Sequence, residues 1–470
     1  MDAGSMREKF DRQRAACLAS PEVPWQTRVD RLQRLAHLIE TNAGEFARAI
    51  DRDFGHRSLQ ETDLLEVFPS LACLRHALSH GRRWMRVERR STGKWFLPAS
   101  SRVMPQPLGV AGIIVPWNYP LYLAVGPLAA AFVAGNRAML KLSEYTPAFG
   151  ALFEQLVANH FAPDELTVVN GDAQTAAEFS GLPFDHLLFT GSTSVGRHVM
   201  RAAAQNLTPV TLELGGKSPA IIAPGFPMAR AAARILLGKC LNAGQTCIAP
   251  DYVLVPEGGE REFIAAARKC VARMYPLILT TPDYSSIVND RHYARIAGYL
   301  DDARKQGATV ENLAARAEAP DPVSRRIPPI ALTGVNDGMR VMQDEIFGPL
   351  LPVLGYRSID AAIEYVNARP RPLALYLFDD DSTRIESVLA KTTAGGVTVN
   401  DTILHVAQDA LPFGGVGPSG MGQYHGYEGF LTFSKMKPVF RQARFNGAAL
   451  FNPPYGARFA RMIKLLKRWA

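Results

Sequence analysis

The sequence predicts an α/β protein in which two sheet-and-helix units follow a helical preface. From Val110 onward short apolar runs alternate with helix-length stretches, the pattern of a parallel sheet with crossover helices. A second alternation opens at Ala220-Ile221-Ile222, so two units account for the chain better than one. Its 470 residues suffice for two or three domains, and 47% hydrophobic with 20% charged residues is ordinary for a folded chain.

In the preface, from Arg7 to about Arg90, Leu32, Leu35, Ile39, Phe46 and Ile50 recur on one face with charges between them, which predicts helices. The first unit's strands are expected at residues 110–115, 138–142, 166–169, 186–189 and 209–212. The apolar run 121–134 is interrupted by Gly126 and Pro127. It falls short of the roughly 20 residues that span a bilayer and is expected as a buried helix. The second unit runs from residues 220–222 through 251–255 to about 396–399. Residues 95–107 break the pattern with turn residues and short extended pieces, and 432–443 are similarly extended; both are expected to leave the domain bodies and pair with another subunit. Pro453-Pro454 marks a break before a final helix.

A net charge of +8 permits an anionic partner, yet the basic residues are spread out apart from a C-terminal cluster, which argues against nucleic acid. Five cysteines, odd in number and with no Cys-x-x-Cys pair, argue against a disulfide framework or a structural zinc site, so no metal is expected. The N-terminus lacks the apolar run of a signal peptide, and a reducing cytoplasm is the expected location.

Two residues carry the chemistry. Cys247 lies in Gly244-Gln245-Thr246-Cys247, and Glu213 heads Glu213-Leu214-Gly215-Gly216-Lys217. A thiolate is nucleophilic enough to attack a carbonyl near neutral pH, and a carboxylate nearby can activate water to release the acyl group. Together they point to oxidation of a carbonyl through a thioester. Taken singly, each has a plainer explanation: a small buried hydrophobe and a solvated acid.

Pro116-Trp117-Asn118-Tyr119-Pro120, Phe189-Thr190-Gly191-Ser192-Thr193-Ser194-Val195-Gly196, the Glu213 and Cys247 segments, and Glu345-Ile346-Phe347-Gly348-Pro349 together resemble the aldehyde dehydrogenase superfamily, in the family's order. Leu411-Pro412-Phe413-Gly414-Gly415 and Met421-Gly422-Gln423-Tyr424-His425-Gly426 resemble its class 3 branch, and within it the bacterial coniferyl aldehyde dehydrogenases. The resemblance implies a Rossmann-type cofactor domain, an α/β catalytic domain and a small β oligomerisation element. Applied to this chain, residues 1–90 with 106–211 form the NAD(P)-binding part, 212–410 the catalytic part, 91–105 with 430–445 the oligomerisation strands, and 446–470 a tail.

The resemblance assigns Cys247 as nucleophile, Glu213 as the base that activates water, and the Asn118 amide as oxyanion donor beside a backbone N–H at Cys247. Lys141 and Glu144 are expected at the adenine ribose, at the carboxyl end of a strand where ligands of parallel sheets sit. Leu142 stands where the family commonly has proline. Ser192, flanked by Gly191 and Gly196, is placed at a helix start suited to a diphosphate. Glu345 is expected at the nicotinamide ribose, with Phe347 as its aromatic wall and Trp117 as a backbone contact. Lys217 and His425 receive no role. Gly415-Val416-Gly417-Pro418-Ser419-Gly420 satisfies a Gly-x-Gly-x-x-Gly pattern but has no βαβ unit after it and contains Pro418, so it is rejected as a dinucleotide fingerprint.

These readings imply NAD(P)-dependent oxidation of an aromatic or phenylpropenal aldehyde such as coniferyl aldehyde to its acid, by a homodimer, with NAD preferred and NADP possible. A medium-chain aliphatic substrate is the alternative. A CoA-acylating enzyme is disfavoured because it needs no water-activating base, and a noncatalytic binding protein is disfavoured by intact Cys247, Glu213 and Asn118. Arg458, Arg461 and Lys464 recur on one side of the tail, with Phe459, Met462, Ile463 and Leu466 offset from them. Packing on its own dimer is the favoured reading of that stretch, and weak attachment to an anionic membrane surface the sharper one.

Overall fold

The computed structural model describes residues 3–316 and 318–469. Helices Ala3–Ala19, Trp25–Phe54 and Phe68–Trp84 form the preface, the last two joined by a short helix, Leu59–Thr62, and a π turn, Asp63–Val67. Leu32, Leu35, Ile39, Phe46 and Ile50 all lie in the buried core, as their spacing predicts.

The first sheet has six strands in the order Gly420–Met421, Val210–Glu213, His186–Thr190, Val110–Ile114, Arg137–Lys141, Leu166–Val169. Its five long strands are parallel, and only Gly420–Met421 runs against its neighbour. The run after the first of these strands is the helix Tyr122–Ala134, buried along its whole length. From Val110–Ile114 the chain adds strands first on one side and then on the other, which creates a switch point, and crevices for ligands open at such points beyond the carboxyl ends. The register sets Lys141 beside Ile114, Ile114 beside Phe189, and Thr190 beside Glu213. One edge of this sheet therefore carries four of the expected site segments.

The second sheet has seven strands in the order Thr309–Asn312, Ile330–Thr333, Leu350–Tyr356, Tyr252–Pro256, Pro219–Ile222, Ala374–Phe378, Gly396–Val399. All pairs are parallel except the first. Because Val210–Glu213 belongs to the first sheet, the division expected between 211 and 212 falls inside a strand.

A third, antiparallel sheet joins Glu88–Arg90, Ser100–Pro107 and Ser434–Arg441. Strands Ser100–Pro107 and Ser434–Arg441 fall inside the two expected stretches, and the first stretch opens with a 3-10 turn at Lys94–Phe96. The helix Gly426–Thr432 ends on the first residue of the second stretch. The final helix, Ala457–Trp469, follows the Pro453-Pro454 break.

Candidate active site

Asn118 lies four residues past the end of strand Val110–Ile114, in the crevice at the switch point. It is 3% exposed, and its Nδ2 donates to the Gln245 carbonyl at 3.2 Å. The side-chain amide has two N–H groups, so one aims the group and the second remains available to a developing oxyanion. Tyr119 adds a 2.6 Å hydroxyl contact to Thr246, and the strand-end segment is thereby fastened to the Cys247 segment at two neighbouring points.

Cys247 follows the helix Met228–Cys240 and a turn in which Asn242, Ala243 and Gly244 all have positive φ, at 51°, 50° and 76°. Only the glycine adopts that region freely, and strain at the other two costs about 1–3 kcal/mol each, tolerated when surrounding contacts over-determine the turn. Gln245 supplies such contacts: its Nε2 donates to the Asn242 and Ser286 carbonyls at 3.0 Å each, and its Oε1 accepts from Val288 N at 2.9 Å. Cys247 itself is half-buried. Burial pushes its thiol up to about 12, with the charges of Glu345 and then Glu213 adding to the rise and the backbone N–H groups of Cys247 and Ile248 opposing it. The attacking form of the sulfur is the thiolate.

Glu213 ends its strand 2% exposed, with both carboxylate oxygens buried and without a hydrogen-bond partner among the described residues. Burial alone holds its carboxyl well above the usual range. A buried carboxyl with no internal partner is costly, and a carboxyl with raised pKa beside a nucleophile has the properties of a general base.

Glu345 is held up at about 8 by burial, then by the Asp251 charge, and its Oε1 is also buried without a partner. A Cβ at Gly215 would overlap the Glu345 carboxylate, which only glycine there permits. Arg295 grips the same loop through the Ile346 carbonyl at 2.8 Å and the Phe347 carbonyl at 3.3 Å. Phe347 has φ 48° and meets Trp117 edge-on at 5.3 Å. Lys217, half-buried, donates to Asp251, Val341 O and Asp344 O at 2.5, 2.8 and 2.9 Å and so braces this loop.

On the outer part of the crevice Lys141 is buried and donates to the carbonyls of Leu142 and Gly171 at 2.7 and 2.8 Å, which leaves one N–H for a ligand. Glu144 is exposed beyond the same strand end. Ser192 caps the helix Thr193–Ala204 by accepting from Val195 N, with Gly191 between it and the strand and Gly196 buried in the first turn. The orphaned Glu345 oxygen, the side-chain-free surface of Gly215 beside it, and, along the same sheet edge, a capped helix N-terminus and a lysine with one spare donor fit a dinucleotide. His425 is a buried residue: its Nε2 lies 3.3 Å from the Tyr122 hydroxyl, its ring stacks on Phe413 at 5.3 Å, and burial lowers its pKa to about 3. It is neutral. Arg57, Glu61, Glu66, Asn242, Gln245 and Arg295 escape sequence reasoning, since nothing in their local pattern separates them from surface charges and turn residues.

A half-buried thiol, an aimed amide, an unpartnered carboxylate and an edge fitted to a dinucleotide define an oxidoreductase that works through a covalent acyl step. The sequence profile of the aldehyde dehydrogenase family matches residues 2–439, and the chain belongs to that family. It is an NAD(P)-dependent aldehyde dehydrogenase. It is 54% identical over 454 residues to the "Probable coniferyl aldehyde dehydrogenase" of Pseudomonas aeruginosa, covering 97% of this chain and 94% of that one. Among solved structures, the substrate-bound state of Staphylococcus aureus AldH is similar with a TM-score of 0.92 and 35% identity, covering 98% of this chain and 99% of that chain. Betaine aldehyde dehydrogenase from Staphylococcus aureus in complex with NAD+ is similar with a TM-score of 0.83 and 26% identity, covering 95% and 89%.

Proposed function

We propose that this enzyme oxidises an aromatic or phenylpropenal aldehyde of the coniferyl type to its carboxylic acid, with Cys247 as nucleophile, Asn118 as oxyanion donor and Glu213 as base. The observation that carries the residue roles is the convergence of the three on one crevice: Asn118 bonded to the Cys247 segment, and both Glu213 and Cys247 within electrostatic reach of each other. Glu213 takes up a proton when water attacks the acyl carbon, and it does so readily because burial has raised its affinity for protons. Asn118 Nδ2 and the Cys247 backbone N–H stabilise the oxyanion of each tetrahedral state. NAD, when bound, would supply the hydride acceptor for oxidation of the carbon held on Cys247. Trp117, Lys141, Glu144, Gly191, Ser192, Gly196, Glu345 and Phe347 would hold it, with Glu345 toward the nicotinamide ribose, Ser192 toward the diphosphate, and Lys141 with Glu144 toward the adenine ribose. The name of the Pseudomonas aeruginosa relative supports the substrate class.

Assays across cinnamyl, benzyl and alkyl aldehydes test this reading, which expects the highest kcat/KM for the cinnamyl type. Preference for medium-chain alkyl aldehydes would overturn the substrate class. In the same assays kcat/KM is expected to favour NAD, since the exposed Glu144 carboxylate accepts from ribose hydroxyls and repels a 2′-phosphate. Lys141, with one spare donor, leaves measurable NADP use. A higher kcat/KM with NADP would contradict the Glu144 assignment.

The functional division follows the same reading: 1–90 with 106–211 bind cofactor, 212–410 carry the nucleophile, and 91–105 with 430–445 pair subunits of a cytoplasmic homodimer. Exposed Leu97, Phe440 and Phe445 on and beside the small sheet support subunit pairing, and five free cysteines suit a reducing compartment. Among the described residues no helix is long and apolar enough to cross a membrane. The tail helix Ala457–Trp469 leaves Phe459, Met462, Ile463 and Leu466 only half-buried along one stripe, with Arg458, Arg461 and Lys464 exposed. That stripe is assigned to the homodimer, so truncation after Pro454 is expected to weaken dimerisation in sedimentation velocity without changing liposome co-sedimentation. A salt-sensitive loss of liposome binding on truncation would instead assign the tail to anionic membranes.

A further inference from the structure

Arg57 belongs to the helical preface, far in sequence from every catalytic segment, yet it is fully buried against one of them. Its Nη1 donates to the Asn118 carbonyl at 2.9 Å and pairs with Glu66 Oε1 at 2.9 Å. Its guanidinium lies 4.8 Å from the Tyr119 ring centroid and 5.1 Å from that of Phe54. Glu66 is also fully buried, and its other oxygen accepts from Leu121 N at 2.7 Å and Tyr122 N at 3.4 Å. The pair thus ties down both ends of the segment 118–122. A second arm starts at Glu61, whose Oε2 accepts from Asn242 N at 3.0 Å and Ser285 Oγ at 3.2 Å. Asn242 opens the left-handed turn before Cys247, and its Nδ2 donates to the Asn118 carbonyl at 3.0 Å and the Gln245 carbonyl at 3.3 Å.

The two arms meet on one atom, the Asn118 carbonyl oxygen. The Asn118 amide then closes the ring by donating to Gln245 O. An ion pair this deep gains little net stability, because desolvation offsets its attraction and an apolar pair of similar volume would serve as well. Arg57 Nε and Nη2 are moreover left without hydrogen-bond partners among the described residues, a cost that stability alone does not justify. Fixed direction is what such a network supplies.

We propose that Arg57, with Glu66 and Glu61, is a positioning device that fixes the Asn118 backbone and the Asn242–Gly244 turn so that the oxyanion amide and Cys247 are held in one geometry for attack. The inference rests on the oxyanion role of Asn118. Arg57 touches no reacting atom and acts through Asn118.

A double-mutant cycle on the full-length enzyme, read as the rate of the first NADH turnover on rapid mixing, tests it. Asn118→Ala is expected to slow that turnover about 10²- to 10³-fold, the loss typical of one oxyanion donor. Arg57→Lys keeps the charge but loses the fork and the ring stacking, and is expected to slow it about tenfold or more with NAD affinity unchanged within about twofold. In the Asn118→Ala background Arg57→Lys is expected to add less than about twofold, because residues acting through one group are not additive. If Arg57→Lys does not fold, Glu66→Gln runs the same cycle. A full multiplicative loss in the double mutant, or a wild-type rate for Arg57→Lys, overturns the positioning role alone. An Asn118→Ala enzyme at the wild-type rate overturns the oxyanion reading and this inference with it.

Discussion

Cys247→Ala is expected to abolish aldehyde-dependent NADH formation, a loss on the order of 10⁴-fold or more, while NAD binding stays within about twofold of wild type. The sulfur provides the only covalent step, and no other cysteine can replace it. Cys240 lies in the core at the end of its helix, and Cys73 is held against the Ser70 carbonyl on the helix Phe68–Trp84. The residues proposed to hold the dinucleotide lie on other segments, at the carboxyl ends of the first sheet's strands and on the Glu345 loop. Substitution by alanine also removes little volume, so the turn at Asn242–Gly244 keeps its braces from Gln245. Fluorescence titration with NAD alongside the aldehyde assay checks both halves. Substantial aldehyde oxidation by this variant, with cofactor affinity unchanged, would remove Cys247 as nucleophile.

Glu213→Gln is expected to separate the two halves of the reaction. The amide preserves the shape of the buried carboxyl but cannot accept a proton from water. Acylation is expected to survive better than deacylation, which falls about 10²- to 10⁴-fold, the usual contribution of a positioned base. In the wild-type enzyme the base form of Glu213 grows as pH rises through a pKa that burial holds well above the usual carboxylate range. Deacylation should therefore rise with pH through that raised pKa, and the variant should lose that dependence. A pre-steady-state profile against pH for both proteins checks the sign, and an unchanged profile in Glu213→Gln would contradict the base role.

Much of the architecture was legible because both sheets obey simple periodicities. The runs at 110–115, 138–142, 166–169 and 186–189 became strands within a residue or two, since a strand covered on both faces is apolar throughout and its ends are marked by Gly, Pro and Asn. The small sheet was less legible: Glu88–Arg90, read as the end of the helical preface, is one of its strands, and edge strands with half-exposed faces carry weak alternation. The motif residues announced themselves through type and order. The scaffold beneath them did not, because Arg57, Glu61 and Glu66 sit in a helical stretch where charges ordinarily face water. Only the fold shows that a turn of that stretch is driven into the core, where Arg57 and Glu66 are fully buried. Lys217 gets no role from its sequence for the same reason, as a lysine in a glycine-rich segment, and it proves to be a brace on Asp251.

The central claim is that an acyl group passes through Cys247 and is released by water that Glu213 activates. Intact-protein mass spectrometry of Glu213→Gln, quenched seconds after mixing with NAD and cinnamaldehyde and followed by peptide mapping, tests it most directly. The predicted result is one cinnamoyl adduct per chain on the Cys247 peptide, formed with about one equivalent of NADH and lost slowly. An adduct on another residue, or turnover at the wild-type steady rate with none detected, would contradict it.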